Sequence, residues 1–340
     1  MPDPGAVTVH ADLRWPAMTG IGSVMQAMIE HAPAWAKVVP LPARGGMADP
    51  FAPLTLAMAL AGAARDGGVF WNPGFVPPAY SPLPSIVTVH DLTHLHYYDA
   101  KRRAYYNAVY RPLYRRCRSI VCVSAFTRDE FLAWSGVPED RVHVVLNGVD
   151  DRFLANVEAA APGYRYVLYP GNHRGYKNLA RLVEAYARSG LPREGVFLAL
   201  TGKPDAALLA IARRLGVEDN LRFLGRIPDA EMPKLYRGAE AVAFVSLYEG
   251  FGLPILEAFA SDVPIVTSAV SALPEVAGDA ALVVDPTDVE AIAGALDRAV
   301  LDNAERERLV AAGRLRVDGF RWGPSAARFW SIVRDAADRR

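Results

Sequence analysis

Two glutamates, Glu249 and Glu257, stand eight positions apart in the segment SLYEGFGLPILEAFA. An apolar run leads into the first of them, two glycines bracket Phe251, and Pro254 suits the first turn of a helix running through Ala260. The unpaired amides at such a helix start form a receptor for an anion, phosphate above all. Glu249 then lies in the loop before the helix and Glu257 one turn inside it. One carboxylate is placed to accept hydrogen bonds from sugar hydroxyls and the other from a ribose diol. The same pattern also describes a plain strand-to-helix turn with two surface glutamates, and residue types alone leave both readings open.

Lys177, in YPGNHRGYKN, sits at the start of another expected helix, where a cation opposes the helix dipole. A bound diphosphate would account for it, because phosphoryl oxygens draw ammonium and guanidinium groups; the plain alternative is a solvated lysine. His90 and Asp91 end the run SIVTVHD, where such a pair otherwise only caps the next segment. Gly20 and Gly22, in TGIG, let the backbone approach a ligand where a side chain could not. His90, His94 and His96, with Asp99 nearby, invite a metal reading. Their spacing is not HExxH, and a strand end followed by a loop does not hold a tetrahedral ligand set, so no metal is expected. No Ser-His-Asp or Cys-His arrangement emerges, and spacing alone does not make Asp91 a general base.

The elements that must position these residues are legible. SIVTVHD, SIVCVSAFT, RVHVVLNGVD, YRYVLYPG, VFLALTG, LRFLG, AVAFVSLYEG and VPIVTS are short, nearly continuous apolar runs. Helical patterns separate them, among them KNLARLVEAYARSG closed by Gly190, DAALLAIARRLG, DAEMPKLYRGA with Asp229 as its N-cap, and DVEAIAGALDRAVLD. Apolar strands alternating with helices indicate an α/β protein with parallel sheets covered on both faces. With 340 residues, about two domains of roughly 150 residues are expected. The stretch Ala155–Tyr164 lacks periodicity and holds a Pro-Gly pair, so it marks the boundary. The expected division is 1–155 for a first Rossmann-like domain, 165–315 for a second, and 316–340 for a helical tail. Such sheets bind ligands at the carboxyl ends of their strands, and a ligand shared by two of them would lie in a central cleft.

Thirty-seven basic side chains balance 37 acidic ones, which excludes a general nucleic-acid binder with a basic excess. Two cysteines cannot staple a secreted scaffold, and the start MPDPGAVTVH has neither a basic nor a long apolar stretch, so a reducing, cytoplasmic setting without signal peptide is expected. The apolar run Phe51–Ala64 is too short to span a hydrocarbon layer of about 30 Å. The segment from Lys101 to Arg118 carries seven basic residues and no acidic one, interleaved with tyrosines. Lys101, Arg102, Arg103, Arg111 and Arg115 are therefore candidates for contact with an anionic membrane surface or with the diphosphate of a lipid-linked acceptor. The bland alternative is a solvated helix whose tyrosines pack inward and which Pro112 interrupts.

The chain resembles the retaining, nucleotide-sugar-dependent glycosyltransferases of family 4, bacterial mannosyltransferases of polysaccharide assembly in particular. The resemblance rests on the Glu249-x7-Glu257 segment, on SALPEVAGDAALVVDP (271–286), NGVD (147–150), TVHDL (88–92) and TGIG (19–22). It implies the GT-B fold, two Rossmann-like domains facing a central cleft, with the tail packing back on the first domain. It further implies that Glu257 binds the nucleotide ribose. Glu249 contacts the transferred sugar, aided by the amides of Phe251, Gly252 and Leu253. Lys177 clamps the diphosphate with Arg174 as its nearest arginine partner, and His173 shapes their loop. His90 stands beside the anomeric centre, supported by Asp91, and Gly20 and Gly22 face the diphosphate or the acceptor. In place of the family's usual glycine after the signature stands Asp262, which can form the turn by bonding its own backbone.

The expected reaction moves a hexosyl group, mannosyl by preference, from a nucleoside diphosphate sugar to a hydroxyl of a glycan or polyprenyl-diphosphate-linked glycan. The nucleotide sugar is a substrate and no cofactor is implied. GDP-mannose is the first choice, with UDP-glucose, GDP-fucose and dTDP-rhamnose as alternatives. A peripheral position at the cytoplasmic face of the inner membrane is compatible with this. A GT-B-type epimerase or phosphorylase, or a non-catalytic nucleotide-sugar-binding protein, would use similar residues.

Overall fold

Runs buried at every position, such as Ser85–Val89 and Ala241–Phe244, form strands of parallel sheets, because only helices on both faces bury a strand that completely. The computed structural model describes residues 5–16, 19–46 and 49–338. The chain divides into two units, one comprising the residues up to Asn147 with those from Trp322 onward, the other Gly148–Arg321.

The first unit holds strands β1 (Val7–Ala11), β2 (Ala36–Pro40), β3 (Val69–Asn72), β4 (Ser85–Val89), β5 (Ser119–Cys122) and β6 (Val142–Val144). All pair in parallel in the order β2-β1-β3-β4-β5-β6. Its helices are α1 (Gly20–Glu30), α2 (Ala52–Ala63), α3 (Thr93–His96), α4 (Ala100–Tyr105), α5 (Arg111–Tyr114) and α6 (Ala125–Ser135). Between α4 and α5 the helix widens into a π turn over Tyr106–Tyr110, with the Arg111 amide reaching back to the Tyr106 carbonyl. Pro112 lacks the donor that a regular turn would use, and the wider turn absorbs the misfit. Tyr106, Tyr110 and Tyr114 then point into the core, while Lys101, Arg102 and Arg103 are exposed.

The second unit holds α7 (Asp151–Leu154), β7 (Arg165–Tyr169), α8 (Leu179–Arg188), β8 (Val196–Leu200), α9 (Ala206–Arg214), β9 (Leu221–Phe223), α10 (Met232–Arg237) and β10 (Ala241–Phe244). It continues through α11 (Leu253–Ala260), β11 (Ile265–Ser268), α12 (Leu273–Ala277), β12 (Leu282–Val284), α13 (Val289–Leu301) and α14 (Asn303–Val317). Its sheet is also parallel, in the order β12-β11-β10-β7-β8-β9. Strand order reverses between β7 and β10, so the loops after these two strands form the natural ligand crevice of a doubly wound sheet.

The stretch 155–164 lies within this unit, where the Ala160 amide donates to the Lys234 carbonyl at 2.9 Å. Helix α10 starts after Glu231 rather than at an Asp229 cap, with Pro233 in its first turn, and Ser189 rather than Gly190 caps α8. The last helix, α15 (Trp322–Asp338), belongs to the first unit. There Trp330 donates to the Met28 carbonyl at 3.0 Å, and Phe329 lies 4.8 Å from the Trp71 ring.

Candidate active site

In the second unit the loops at the switch point bring two of the expected residues into direct contact. Lys177 ends a single 3-10 turn, Gly175–Lys177, after β7, and Glu249 lies in the loop after β10. The Lys177 ammonium donates to Glu249 Oε1 at 2.6 Å, and both side chains are largely buried, at 11% and 15% exposure. The ammonium also lies 5.1 Å from the Phe244 ring and 5.3 Å from that of Tyr176, so aromatic faces help to hold it out of bulk water.

The pair is held by residues that sequence reasoning missed. Asn178 adopts a left-handed backbone (φ 63°) at the start of α8, and its buried amide donates to the carbonyls of Val245 (3.0 Å) and Pro286 (2.7 Å). One side chain thus staples the loops after β7, β10 and β12. The Leu247 amide donates to the Tyr176 carbonyl at 2.8 Å, and the Glu249 amide donates to Ser271 Oγ at 3.0 Å. Ser271 is itself left-handed (φ 56°). A Lys-Asn pair after a strand and a serine opening SALPEV were the available signals.

Gly252 caps α11 with no side-chain hydrogen bond, so the first amides of that helix are not claimed by a capping side chain. Phe251 is buried, and Leu253, the first helical residue, is half-buried. Gly252 has φ 120°, and a Cβ there would lie 2.8 Å from Leu273 Cδ2. Gly252→Ala should therefore cost about 2 kcal/mol or more of stability. Urea unfolding checks this, and an unchanged midpoint would refute the strain.

Glu257, one turn into α11, is half-buried. The hydroxyl of the fully buried Tyr236 donates to Glu257 Oε2. Desolvation raises the Glu257 pKa to about 7 against the lowering effect of the Tyr236 hydrogen bond; Asp150 adds a smaller upward push, and Arg152 opposes it. Asp150 is itself engaged by the Arg152 guanidinium, with Nε at 2.9 Å from Oδ2. The NGVD motif thus ends in a charge pair that acts on Glu257, a role its sequence did not disclose.

Arg174 is exposed on the loop, and its backbone amide donates to Asn172 Oδ1 at 3.2 Å. His173 turns inward, with Nε2 at 2.8 Å from the Thr201 carbonyl and Nδ1 at 3.8 Å from Asp205, so it ties the Lys177 loop to the end of β8. Asp262 takes the left-handed turn (φ 60°), but its carboxylate meets Arg314 at 2.6 Å and Arg237 at 3.7 Å instead of its own backbone.

In the first unit, His90 follows β4 and bonds the Pro73 carbonyl through Nε2 at 2.7 Å. Desolvation lowers its pKa more than Pro73 and Asp91 raise it. A neutral ring donating from Nε2 keeps an acceptor at Nδ1. Asp91 accepts the Thr93 amide at 2.8 Å, which caps the next turn. Gly20 and Gly22 open α1, where Thr19 Oγ1 accepts the Gly22 amide at 3.0 Å, and a Cβ on Gly20 would meet nothing within 4 Å.

His94 stacks on Tyr106 with ring centroids 3.8 Å apart, and burial lowers its pKa to about 4; His96 pairs with Glu130. The three histidines thus face three different partners, and among the described residues no cluster of three or more His, Cys, Asp or Glu side chains could hold a metal. Arg115 donates to the Ser135 carbonyl at 3.0 Å, and Arg111 is half-buried.

Known proteins resemble this chain in sequence and in fold. The sequence model described as "Glycosyl transferases group 1" matches residues 150–316, and "Glycosyltransferase Family 4" matches residues 67–153. The chain is 32% identical over 272 residues to the O-antigen chain mannosyltransferase B of Escherichia coli, across 75% of this chain and 71% of that protein. It is 32% identical over 231 residues to the MMP alpha-(1->4)-mannosyltransferase of Mycolicibacterium hassiacum, across 66% of this chain but only 56% of that protein. Its fold superimposes on WaaG, a glycosyltransferase involved in lipopolysaccharide biosynthesis, with a TM-score of 0.76 at 15% identity over 96% of this chain and 99% of WaaG. On Anabaena HepE, solved with UDP and glucose, the TM-score is 0.77 at 15% identity over 97% and 100% of the two chains. The chain belongs to the family 4 glycosyltransferases and is a glycosyltransferase of GT-B fold.

Proposed function

We propose that this glycosyltransferase moves a mannosyl group from GDP-mannose to a hydroxyl of a growing glycan, free or carried on a polyprenyl diphosphate, with retention of anomeric configuration. The observation that carries this is the Lys177–Glu249 pair at the switch point beside the start of α11. A nucleotide sugar needs a cation for its diphosphate and a carboxylate for its sugar hydroxyls, and here the two lie side by side. The ammonium has three donors, one of which Glu249 occupies. Diphosphate takes the others, with Arg174 and the α11 amides, and Glu257 accepts the ribose diol. By the family resemblance His90, in the first unit, is the residue assigned to the sugar, and Asp91 caps the turn that follows it.

In the reaction the bond from C1 to the leaving phosphate oxygen breaks, and the bond from C1 to the acceptor oxygen forms on the same face. The acceptor proton passes to the leaving diphosphate. Positive groups placed where that leaving charge develops lower the barrier without a metal cofactor. Mannose is favoured by the names of the O-antigen and MMP relatives. The UDP and glucose held by HepE make a uridine donor the second reading.

Thermal unfolding against GDP, UDP, dTDP and their sugars, with and without EDTA, tests the donor. A ligand that binds only the folded state raises the midpoint. The expected result is a rise selective for GDP and GDP-mannose that EDTA leaves unchanged; no rise with any nucleotide overturns the proposal. Release of GDP that depends on added glycan acceptor then separates transfer from epimerisation, phosphorolysis and simple binding.

A further inference from the structure

Helix α2 and its approach, Phe51–Ala63, carry one polar residue, Thr55, in an otherwise apolar sequence. A helix lying on the outside of a domain normally turns a polar face to water. Here Leu56 and Leu60 are fully buried, whereas Phe51, Leu54 and Met58 are 65%, 53% and 69% exposed. Their spacing of three and four puts these three side chains on one stripe. Among the described residues only Tyr80 and Leu315 are other large apolar side chains as open, and Tyr80 follows Ala79, whose amide bonds the start of α2.

Hydrogen bonds locate the neighbours. The Tyr105 hydroxyl donates to the Pro50 carbonyl, which fixes α4 against the start of α2. The Ala79 amide donates to the Pro53 carbonyl at 2.9 Å, and Arg116 reaches the Ala79 carbonyl at 3.3 Å. Through these contacts the end of α4, the helix that carries exposed Lys101, Arg102 and Arg103, meets the start of α2, and exposed Tyr80 and Arg116 flank the stretch of chain that bonds Pro53. Two carboxylates lie at the starts of these two helices. Asp49 accepts the Phe51 amide at 2.8 Å, and Asp99 accepts the Arg102 amide at 2.8 Å and stands 3.6 Å from its guanidinium. Among the described residues neither Lys101 nor Arg103 has an ion-pair partner.

We propose that this face, the Phe51-Leu54-Met58 stripe rimmed by Lys101, Arg102 and Arg103, docks on the surface of an anionic phospholipid bilayer. An open apolar stripe beside a basic border matches the two layers of such a surface, acyl boundary and phosphate headgroups. Contact with a second copy of the same face would bring Lys101, Arg102, Arg103 and Arg116 of both copies together in excess of the border carboxylates Asp49 and Asp99, which like-charge repulsion disfavours. The inference goes beyond the donor chemistry and does not depend on it.

Co-sedimentation of the full chain with vesicles tests it. Vesicles of phosphatidylcholine mixed with phosphatidylglycerol should bind the protein at least about tenfold more tightly than phosphatidylcholine alone, and added salt should weaken the binding. Phe51→Ser/Leu54→Ser/Met58→Ser and Lys101→Glu/Arg102→Glu/Arg103→Glu should each reduce binding by about tenfold or more. These positions are exposed, and an unchanged thermal midpoint confirms that the variants fold. Equal binding to both vesicle types, or full binding by either folded variant, overturns the proposal. So does a concentration-dependent dimer in gel filtration that the serine variant abolishes, which would assign the stripe to a second copy. No nucleotide enters this assay, so its failure is distinct from failure of the donor reading.

Discussion

Lys177→Met lowers kcat by about a thousandfold, the scale on which removal of one preorganised electrostatic contact acts. The variant also loses stability, because the largely buried Glu249 carboxylate is left without its ammonium partner at 2.6 Å. These two effects separate in the double variant Lys177→Met/Glu249→Gln. Removing both charges relieves the unpaired carboxylate, so the unfolding midpoint recovers toward wild type, while turnover stays low because diphosphate and sugar still lack their contacts. Steady-state kinetics and urea unfolding on the same preparations read both quantities. Turnover that recovers with stability would make the pair a structural ion pair only. Wild-type rates in purified Lys177→Ala and Glu257→Ala would remove the proposed site altogether.

Glu257 produces the second large effect, and it depends on pH. Its pKa is raised to about 7 in the folded protein, mainly by desolvation, from 4.5 as its ordinary value. A raised carboxyl favours folding most in its protonated form, so its contribution is complete below the unfolded pKa and is lost as pH rises through about 7. Glu257→Gln should match wild-type stability near the unfolded pKa. It should gain on wild type with rising pH, by no more than about 1.4 kcal/mol per pH unit. Binding moves the other way. The ionised carboxylate accepts both hydroxyls of a ribose, so wild-type affinity for GDP should climb with pH and level off above about 7. In Glu257→Gln that climb should vanish, with affinity at alkaline pH about 10–100-fold weaker, the worth of one charge-assisted hydrogen bond. Calorimetric titration with GDP across this pH range decides the matter, and parallel pH profiles for the two proteins would exclude Glu257 from the nucleotide site.

The second half of the chain was the more legible. Runs such as YRYVLYPG and AVAFVSLYEG became β7 and β10, and the helix expected to run through Ala260 does end there. Strands β1, β2, β3 and β12 were not singled out, because runs of three to five residues carry little periodicity, whether buried throughout as in β3 or half-exposed as in the AKVVP of β2. The two glutamates were read as one local motif. In the fold they turn to different partners, Glu249 to a lysine 72 positions earlier and Glu257 to a tyrosine 21 positions earlier. Asn178 went unnoticed because its value lies in joining carbonyls 67 and 108 positions away. The tyrosines of the basic segment followed the bland reading for Tyr106, Tyr110 and Tyr114, which form core contacts, while the cations at 101–103 stayed outside.

Local order in the sequence was enough for the α/β class, the alternation that makes parallel sheets, and the loop and helix that carry Glu249 and Glu257, since periodicity, caps and glycine turns act over a few residues. Tertiary structure alone decided which charges meet and which surfaces stay open. The order of strands set the switch point that brings Lys177 to Glu249, and no local rule encodes strand order. Helix α2 is the plainest case. Its sequence is apolar all round, so it carries no amphipathic signal to say which side faces water, and only packing against the core left Phe51, Leu54 and Met58 outside.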